Sequence, residues 1–474
     1  MRLNPQKWSD EKEWSTNGWR SMGNKVMQEV EIRTGVWYKD RLIKLTFPNS
    51  WEVTTYWPDT PPPLTDEDIL ERINIPVGQP PLKELAKGKK NPIIVIDDLA
   101  RPTPVFRIMP FLLKEFNLAG IHSKDIRILV ATGTHGDQDQ RALANKIGKE
   151  TAESCQIITH HDKRNTRFIG NTSFGTPVYV NREGLNSDLM IGIGGIYPNQ
   201  TAGFGGGAKL ALGILGRKSI MHLHFRHAGA DGTYNTDNTF RKDLTEIARM
   251  ISLNTIYALH INAQLDLVNL TCGDHFIYFP QSVEFSREKY IAPLPGDADV
   301  VIANGYPSDI SYTFMQKGIK PIRCASRGAT KIMIGSNPQG IGRHGFFQQG
   351  GSQRLKDYKF LYHKLSVMEP KEIISKILKK IFLRGQRPTM SERKSPGMSE
   401  EISQLWVFRP QTDASTPIPQ LPGVQVVEAW DDILKVIEQE HSSKKNIKVR
   451  IYPCAPLQYL DAQAIQGEVE EIHK

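Results

Sequence analysis

A series of short runs rich in Ile, Val and Leu places the tightest constraint on the fold of this chain. Most of these runs are apolar on both faces, as parallel strands buried on two sides are. Helical patterns lie between them, for example at 105–116, where apolar residues recur at helical spacing. This βαβ pattern predicts an α/β fold with right-handed crossovers. The runs lie at 92–98, 125–131, 156–160, 188–193, 299–303, 331–335 and 447–452.

The length of 474 residues exceeds what one ordinary core supports, so we expect two domains. A turn-rich segment at 293–296 marks the start of the second. We predict an N-terminal extension at 1–34, an α/β domain at 35–292, and a second α/β domain at 293–474 that ends in a frayed tail. Each domain should carry a mostly parallel sheet flanked by helices, with the active site in the cleft between them. Six of the eight tryptophans lie within the first 57 residues, and we interpret them as docking anchors.

Polar clusters follow several of the apolar runs at the point where each run ends. Asp98 follows the first run, His135 the second and His161 the third, while the fourth leads to Asn199 and a glycine-rich loop at 203–209. Ligands of open α/β sheets bind beyond the carboxyl ends of the strands. We therefore predict that these clusters and the loop line one crevice.

The loop at 203–209 reads GFGGGAK and brings three consecutive glycines, Gly205, Gly206 and Gly207, close to Lys209. Glycine allows a ligand to approach the backbone closely and tolerates unusual backbone angles. The loop is not a phosphate-binding Walker A motif, because Ala208 precedes the lysine. An ordinary strand-to-helix turn is the alternative interpretation.

Three histidines cluster downstream of the loop, at His222, His224 and His227. On a helix, His224 and His227 would share a face and His222 would point elsewhere. Imidazole is a suitable ligand for nickel and similar metals. His135 is a candidate for proton transfer, since an imidazole titrates near neutral pH, although a core histidine bonded to backbone is the common alternative.

Taken together, the motifs resemble the lactate racemase family, whose enzymes carry a nickel-pincer nucleotide. The resemblance runs from about residue 36 to beyond residue 345, and its motifs are specific as a set. They are DDLARPTP at 97–104, GTH at 133–135, HD at 161–162, GTP at 175–177, YPNQ at 197–200, GGGAK at 205–209 and His224.

The resemblance implies that Lys209 holds the nickel-pincer nucleotide through a thioamide bond and that His224 ligates the nickel. The alignment to His224 requires a one-residue gap, so His222 and His227 stay open as alternatives. Contacts to the cofactor are implied for Asp98, His161 and the glycines Gly205, Gly206 and Gly207. Dedicated enzymes that build the cofactor are implied as partners.

The reaction implied is racemisation or epimerisation of a 2-hydroxy acid by hydride transfer to and from the cofactor. His135 would be one of two bases, while Arg101 and Lys317 would bind the carboxylate of the substrate. Lys317 is assigned by counting eight residues from Asp309.

Two departures from the family pattern argue against simple lactate as the substrate. Asn199 stands where the family has its second catalytic histidine, and an amide has no useful basicity. Phe314 replaces a glutamine of the substrate pocket. A non-racemising hydride-transfer enzyme and a non-catalytic cofactor-binding homologue are therefore alternatives.

Composition excludes several other classes. The net charge of +9 is dispersed, without the basic stripe interleaved with aromatics that nucleic-acid binding requires. No apolar run approaches the length of a membrane span, and the N-terminal residues lack the apolar core of a signal peptide. The four cysteines are far apart, which argues against thiolate metal sites and disulfides. We expect a cytoplasmic protein without nucleic-acid or membrane partners, with homo-oligomer formation left open.

Overall fold

The computed structural model describes residues 19–22, 25–230, 232–342, 404–410, 418 and 421–460. The predicted frayed tail and the first 18 residues of the predicted extension lie outside this part of the chain. The strands are β1 Trp19–Met22, β2 Lys25–Thr34, β3 Arg41–Pro48, β4 Glu52–Thr55, β5 Pro92–Asp97, β6 Arg127–Ala131, β7 Gln156–Thr159, β8 Thr166–Asn171, β9 Pro177–Asn181, β10 Leu189–Gly195, β11 Pro198–Asn199, β12 Gly203–Phe204, β13 Thr255–Ile261, β14 Leu267–Asp274, β15 Ile291–Ala292, β16 Val300–Asn304, β17 Thr330–Ile334, β18 Leu405–Phe408, β19 Val424–Val427, β20 Lys448–Tyr452 and β21 Tyr459–Leu460.

The helices are mostly short. The α-helices are α1 Asp66–Asn74, α2 Leu82–Leu85, α3 Met109–Leu118, α4 Gln140–Ile147, α5 Lys149–Ser154, α6 Arg182–Leu185, α7 Arg217–Arg226, α8 Thr239–Met250, α9 His275–Lys289, α10 Tyr312–Met315, α11 Lys320–Arg323 and α12 Trp430–Glu440. Segments of 3-10 helix lie at Val105–Arg107, Ser123–Asp125, Gly207–Ile214 and Gln316–Gly318. The helical pattern at 105–116 therefore divides into a 3-10 turn and α3.

The first sheet has six strands in the order β14-β13-β10-β5-β6-β7. All pairs are parallel except β13 with β14. Alternate residues of β5 face different cores, because Ile94 and Ile96 pack in one apolar cluster while Ile93 and Val95 pack in another. Strands covered on both faces explain why their sequences are apolar throughout. β7 differs, since it is an edge strand and is only partly buried.

The second sheet has the order β19-β18-β17-β16-β20-β4, and all of its pairs are parallel. The α/β class with mostly parallel sheets flanked by helices is thereby confirmed. The edge strand β4 comes from residues 52–55, well before the first sheet begins. The predicted division at residues 292 and 293 stays a prediction, and the second sheet draws on both sides of it.

The segment around residues 33–40 joins the two parts of the chain. Buried Asp309 accepts hydrogen bonds from the hydroxyl of Thr34 at 2.7 Å and from the backbone N–H of Gly35 at 2.8 Å. Trp37 is buried, and its indole N–H donates to the carbonyl oxygen of Arg101 at 3.3 Å. Trp51 packs near Phe47 in the core of the second sheet. Trp37 thus anchors the segment through packing and hydrogen bonding, while Trp51 packs in the second sheet.

Candidate active site

A cavity lies beyond the carboxyl ends of β5, β6 and β10, as expected for ligands of an open α/β sheet. It brings together most of the residues that the sequence singles out, although they are far apart along the chain. Those that line it are Asp98, Arg101, His135, Asn199, Gly205, Gly206, Lys209 and His224. The lining residues do not include Gly207, His161 or Lys317.

The prediction that His161 lines the same crevice is wrong. Its side chain is 39% exposed, and its Nδ1 accepts a hydrogen bond from the backbone N–H of Lys163. The neighbouring Asp162 is buried and pairs with Nε of Arg217 at 2.5 Å. β7 is an edge strand, so the turn that follows it reaches the rim of the sheet instead of its centre.

The glycine-rich loop is shaped by the residues behind it. Gly206 has φ +71, a left-handed conformation that favours glycine, and a Cβ there would lie 2.4 Å from the side chain of Ile196 and 2.9 Å from the carbonyl oxygen of Gly195. Gly207 lies against the ring of Phe279, which a Cβ would approach to 2.7 Å. The loop thus packs tightly on its inner side and presents backbone to the cavity.

Arg241 supports the same loop from α8. Its guanidinium donates to the carbonyl oxygens of Ala202, at 2.9 Å, and Phe204, and lies 4.3 Å from the centre of the Phe279 ring. Burial lowers the pKa of Arg241 to about 9. Arg241 was not predicted from the sequence, because an arginine on an amphipathic helix is usually a surface residue.

Lys209 extends from this loop into the cavity. In the described part of the chain its Nζ atom makes no hydrogen bond or ion pair. Burial, together with the charges of Arg101 and Arg241, lowers the pKa of Lys209 to about 7. A large fraction of its amine is therefore neutral, and hence nucleophilic, near neutral pH.

His224 lies in the last turn of α7 and faces the same cavity. Its Nδ1–H donates to the carbonyl oxygen of Ile220 at 2.7 Å, which leaves Nε2 as the unprotonated ring nitrogen. Burial lowers the pKa of His224 to about 4, so the ring is neutral at physiological pH. A neutral imidazole whose other nitrogen is fixed by a carbonyl is the usual form of a metal ligand.

His222 and His227 occupy a different place, and the prediction that His224 and His227 share a helical face is wrong. α7 ends at Arg226, so His227 no longer follows helical geometry. Its ring turns toward His222, with 6.1 Å between the ring centres. Both rings lie near Asp243 of α8. A helix end at this position was not evident from the sequence.

His135 and Asp98 form a close pair at the cavity, with 2.5 Å between Nδ1 and Oδ2. Burial opposes ionisation of Asp98, but the neighbouring side chains of His135, Arg101 and Lys317 outweigh it and hold the pKa of this carboxyl well below its usual range. Burial lowers the pKa of His135, although Asp98 acts in the opposite direction. The imidazole is therefore positioned as a neutral base with Asp98 on its Nδ1 side.

Lys146 holds the backbone that carries this pair. It is fully buried, its Nζ lies 2.8 Å from Oδ1 of Asp97, and it donates to the carbonyl oxygens of Asp98 at 3.0 Å and Arg101 at 2.7 Å. The ring of Trp37 lies 5.1 Å from the same Nζ. Lys146 was not predicted from the sequence, because its burial depends on partners far away in the chain.

Lys317 and Arg101 supply positive charge next to the pair. Lys317 lies in a 3-10 turn, and its Nζ donates to the carbonyl oxygen of Ala100. Burial and the charge of Arg101 hold the pKa of Lys317 well below its ordinary value. The guanidinium of Arg101 lies 5.9 Å from the centre of the Tyr197 ring, at the cavity wall.

Asn199 lines the cavity but uses its side chain in a turn. Its Oδ1 accepts hydrogen bonds from the backbone N–H groups of Thr201, at 3.2 Å, and Ala202, at 2.8 Å. The amide oxygen thus holds the turn that leads from β11 into the glycine-rich loop. An asparagine in this role is a common turn device and needs no catalytic explanation.

A second cavity adjoins the first. Asp98 and His135 line both, so the pair stands between them. The second cavity is also lined by Gln138, Phe314 and Gln339, and therefore by residues from either side of position 292. The ring of Phe314 meets that of His135 edge-on, with centres 4.8 Å apart.

Comparison with known proteins gives consistent results. The family model described as the lactate racemase N-terminal domain matches residues 38–234. Lactate racemase of Lactiplantibacillus plantarum is 30% identical over 295 residues, which cover 60% of this chain and 69% of that protein. Lactate racemase of Thermoanaerobacterium thermosaccharolyticum is 27% identical over 340 residues, covering 70% of this chain and 75% of that protein.

Solved structures resemble the fold over most of its length. The lactate racemase apoprotein of Thermoanaerobacterium thermosaccharolyticum aligns with a TM-score of 0.65 at 22% identity, covering 91% of this chain and 100% of that one. A Thermotoga maritima protein aligns with a TM-score of 0.55 at 17% identity, covering 85% of this chain and 100% of that one. No helix in the described ranges combines the length and apolar character needed to span a membrane.

Proposed function

This chain belongs to the lactate racemase family, and from that premise we propose that it is a nickel-pincer-nucleotide-dependent racemase or epimerase of a 2-hydroxy acid other than lactate. The observation that carries the proposal is the shared cavity of Lys209, His224 and the His135–Asp98 pair. These side chains supply a nucleophilic amine, a neutral imidazole and a base held by a carboxylate.

The residues present fit such a cofactor. The amine of Lys209 has no partner in the described part of the chain, and a lowered pKa makes it suited to a covalent bond with an acyl group. His224 offers a neutral ring with Nε2 unprotonated, as nickel ligation requires. The cofactor, when bound, supplies a site that accepts and returns hydride. Enzymes that build it are the partners this proposal requires.

His135 is the proposed base that takes the hydroxyl proton of the substrate. The carboxylate of Asp98 accepts the Nδ1–H of the ring, which leaves Nε2 able to accept a second proton. Asp98 also stabilises the imidazolium that forms. The proton returns from the same nitrogen when the reaction reverses.

Arg101 and Lys317 are the proposed carboxylate-binding residues. Both lie near Asp98, and Nζ of Lys317 donates a hydrogen bond to the carbonyl oxygen of Ala100. A substrate carboxylate would replace or share this carbonyl partner and would add negative charge beside Arg101 and Lys317, which are partly buried. Arginine and lysine bound to one carboxylate would orient the hydroxyl group toward His135.

The proposed substrate is larger than lactate. Phe314 places an aromatic ring against His135, and the second cavity continues past it between Gln138 and Gln339. Such walls suit a 2-hydroxy acid whose side chain has apolar carbons and a polar end. Lactate has a single methyl group and would leave this space to water.

The proposal is tested with protein produced in a host that makes the cofactor. Intact mass should show added mass on the wild-type chain that is absent from Lys209→Ala, and metal analysis should show nickel that falls in His224→Ala. The loaded protein is then incubated with single enantiomers of 2-hydroxy acids of increasing size. Chiral analysis should show inversion of a member larger than lactate. An unmodified Lys209 in this host would overturn the cofactor assignment.

A second candidate function is hydride transfer from one face of the substrate alone. It is favoured by Asn199, whose amide oxygen is held by two backbone N–H groups and which cannot act as a base. In that case a hydrogen isotope label at C2 of the substrate would exchange while the configuration at C2 is retained. Inversion at C2 would favour the racemase instead.

A further inference from the structure

A second group of potential ligands lies outside the cavity, and we call it the Asp243 cluster. It consists of His222 on α7, His227 just after that helix and Asp243 on α8, with the hydroxyl of Thr176 between them. Asp243 and Thr176 are completely buried, and His222 is nearly so. None of these residues lines the cavity of Lys209 and His224.

The hydrogen bonds of the cluster can be assigned by counting protons. The hydroxyl of Thr176 has one proton, which it donates to Oδ2 of Asp243. Nδ1 of His222, 2.8 Å from that hydroxyl, must then be the donor to it. Nε2 of His227 donates to the same Oδ2 at 2.6 Å. Oδ2 of Asp243 therefore accepts two hydrogen bonds, from Thr176 and His227, and His222 is linked to it through the Thr176 hydroxyl.

The other carboxylate oxygen is left without a partner. Oδ1 of Asp243 is buried and makes no hydrogen bond in the described part of the chain. No lysine or arginine within the described ranges pairs with Asp243. A buried carboxylate oxygen that accepts no hydrogen bond is unfavourable, because its lone pairs have lost water without gaining a partner.

We propose that His222, His227 and Asp243 form a binding site for a divalent transition metal ion, and that Zn²⁺ fits it best. Two imidazoles and one carboxylate are a common zinc ligand set, with a fourth position left for water. The charge of the ion would offset that of Asp243. Thr176 would keep its hydrogen bond to the carboxylate and orient it, as groups behind metal ligands do.

The geometry requires a modest contraction. The potential ligand atoms lie within 4.8 Å of one another. Bonds of about 2.0–2.1 Å in a tetrahedral site place ligand atoms roughly 3.3 Å apart. His227 follows the end of α7 in extended backbone, with φ −103 and ψ 146, so its ring can approach without distorting the helix.

The bound ion would link the end of α7 to α8, through ligands that precede and follow His224 in the sequence. His222 and His227 flank His224 in sequence, and the ring of Phe240 on α8 packs edge-on against His224 with centres 5.1 Å apart. A metal ion at the Asp243 cluster would therefore hold the end of α7 in place. Its role would be structural, and it requires neither the cofactor nor the proposed reaction.

The test uses the full chain without cofactor, treated with a chelator and dialysed. Zinc sulfate is titrated in competition with a chromophoric chelator, and cobalt chloride is used as a visible probe of tetrahedral coordination. We expect one equivalent of zinc to bind and to raise the unfolding temperature, because a ligand of the native state stabilises it. His227→Gln removes a ligand, so it should weaken binding by more than the roughly 10–100-fold that loss of a group behind a ligand costs, and it should remove the cobalt absorption.

Two further variants separate the outcomes. His224→Ala should bind zinc like the wild type, because its ring faces the cavity and not the cluster. Asp243→Asn should abolish binding while preserving side-chain shape. If that variant does not fold, His227→Gln decides alone, since its residue is only partly buried at a helix end. The proposal is overturned if the wild type binds no zinc, if His227→Gln binds it equally well, or if His224→Ala alone loses it.

Discussion

The Nδ1 atom of His135 lies 2.5 Å from Oδ2 of Asp98, and this contact determines which nitrogen of the imidazole can act as a base. An ionised carboxylate accepts hydrogen bonds but cannot donate them, so Nδ1 must carry the proton and Nε2 must be the acceptor. The carboxylate also stabilises the charged ring. Asp98 therefore both orients the imidazole of His135 and increases its affinity for a proton. The same relationship gives the first prediction.

Asp98→Asn should lower kcat of the loaded enzyme by about 10²–10⁴-fold. The asparagine amide can donate to Nδ1, which would put the proton on Nε2 and block the base. Wild-type kcat/KM should fall in acid as His135 becomes protonated, and the lowered pKa of His135 places this acid limb at a lower pH than for an ordinary histidine. Removing the negative charge of Asp98 should shift the limb further toward acid. A pH profile that shifts toward alkali would contradict this assignment.

Lys209 should react as an unusually acidic ammonium group even without cofactor. Its pKa of about 7 means that the neutral amine appears as pH rises through 7, well below the range of an ordinary lysine. Brief acetylation at a series of pH values, followed by peptide mass analysis, measures the midpoint. Arg101→Met should raise that midpoint, because it removes a nearby positive charge. Labelling of exposed Lys124 serves as the reference, and a Lys209 midpoint near 10 would refute the prediction.

Gly206→Ala should destabilise the apoprotein more than Gly88→Ala does. The two glycines have nearly the same φ, +71 and +72, so both variants carry a similar backbone strain. A Cβ at Gly88 meets nothing within 4 Å, whereas one at Gly206 meets Ile196 and the carbonyl of Gly195. Overpacking should add about 1–3 kcal/mol to the loss of unfolding free energy. Chemical denaturation of both variants measures the difference, and equal losses would show that the loop is not tightly packed.

Lys146→Met should lower the free energy of unfolding by about 3–5 kcal/mol, because it leaves the buried carboxylate of Asp97 without its cation. Lys87→Met is a suitable control, since Lys87 and Glu84 form an exposed pair. That control should change stability by less than about 1 kcal/mol. The double variant Lys146→Met with Asp97→Asn should recover part of the loss. Equal losses of stability in Lys146→Met and Lys87→Met would mean that Lys146 does not support the backbone at Asp98 and Arg101.

Local patterns were sufficient to predict the sheets and the common cavity. A strand that is apolar on both faces, such as the run at 92–98, is buried on both faces. Such burial is typical of parallel strands covered by helices, so the run itself indicates a parallel strand. The carboxyl ends of such strands meet at one edge of the sheet, which brings Asp98, His135 and the Lys209 loop together. β4 was missed, because a partly exposed edge strand of four residues carries no such pattern.

The supporting residues could not be predicted from local patterns. Lys146 and Arg241 lie on amphipathic helices, where a charged residue normally faces solvent. Their burial depends on carbonyl groups presented by distant segments, at Asp98 and Arg101 for Lys146 and at Ala202 and Phe204 for Arg241. Charged residues that bind the backbone behind a site leave no signal in spacing or composition.

Asn199→His provides the last prediction, because it places a histidine where the resemblance to the family implies the second base. If the missing base limits the reaction, the variant should gain or increase inversion of a small 2-hydroxy acid such as lactate, by about 10²-fold or more where the new ring is well placed. The gain should be larger when Phe314→Gln is added, since that variant also replaces the apolar ring beside His135 with a polar side chain. Loss of the hydrogen bonds from Thr201 and Ala202 will loosen the turn, so Asn199→Ala is the control for structural effects. Rapid racemisation of lactate by the loaded wild type would show that Asn199 does not impair the reaction and that a different residue supplies the second base.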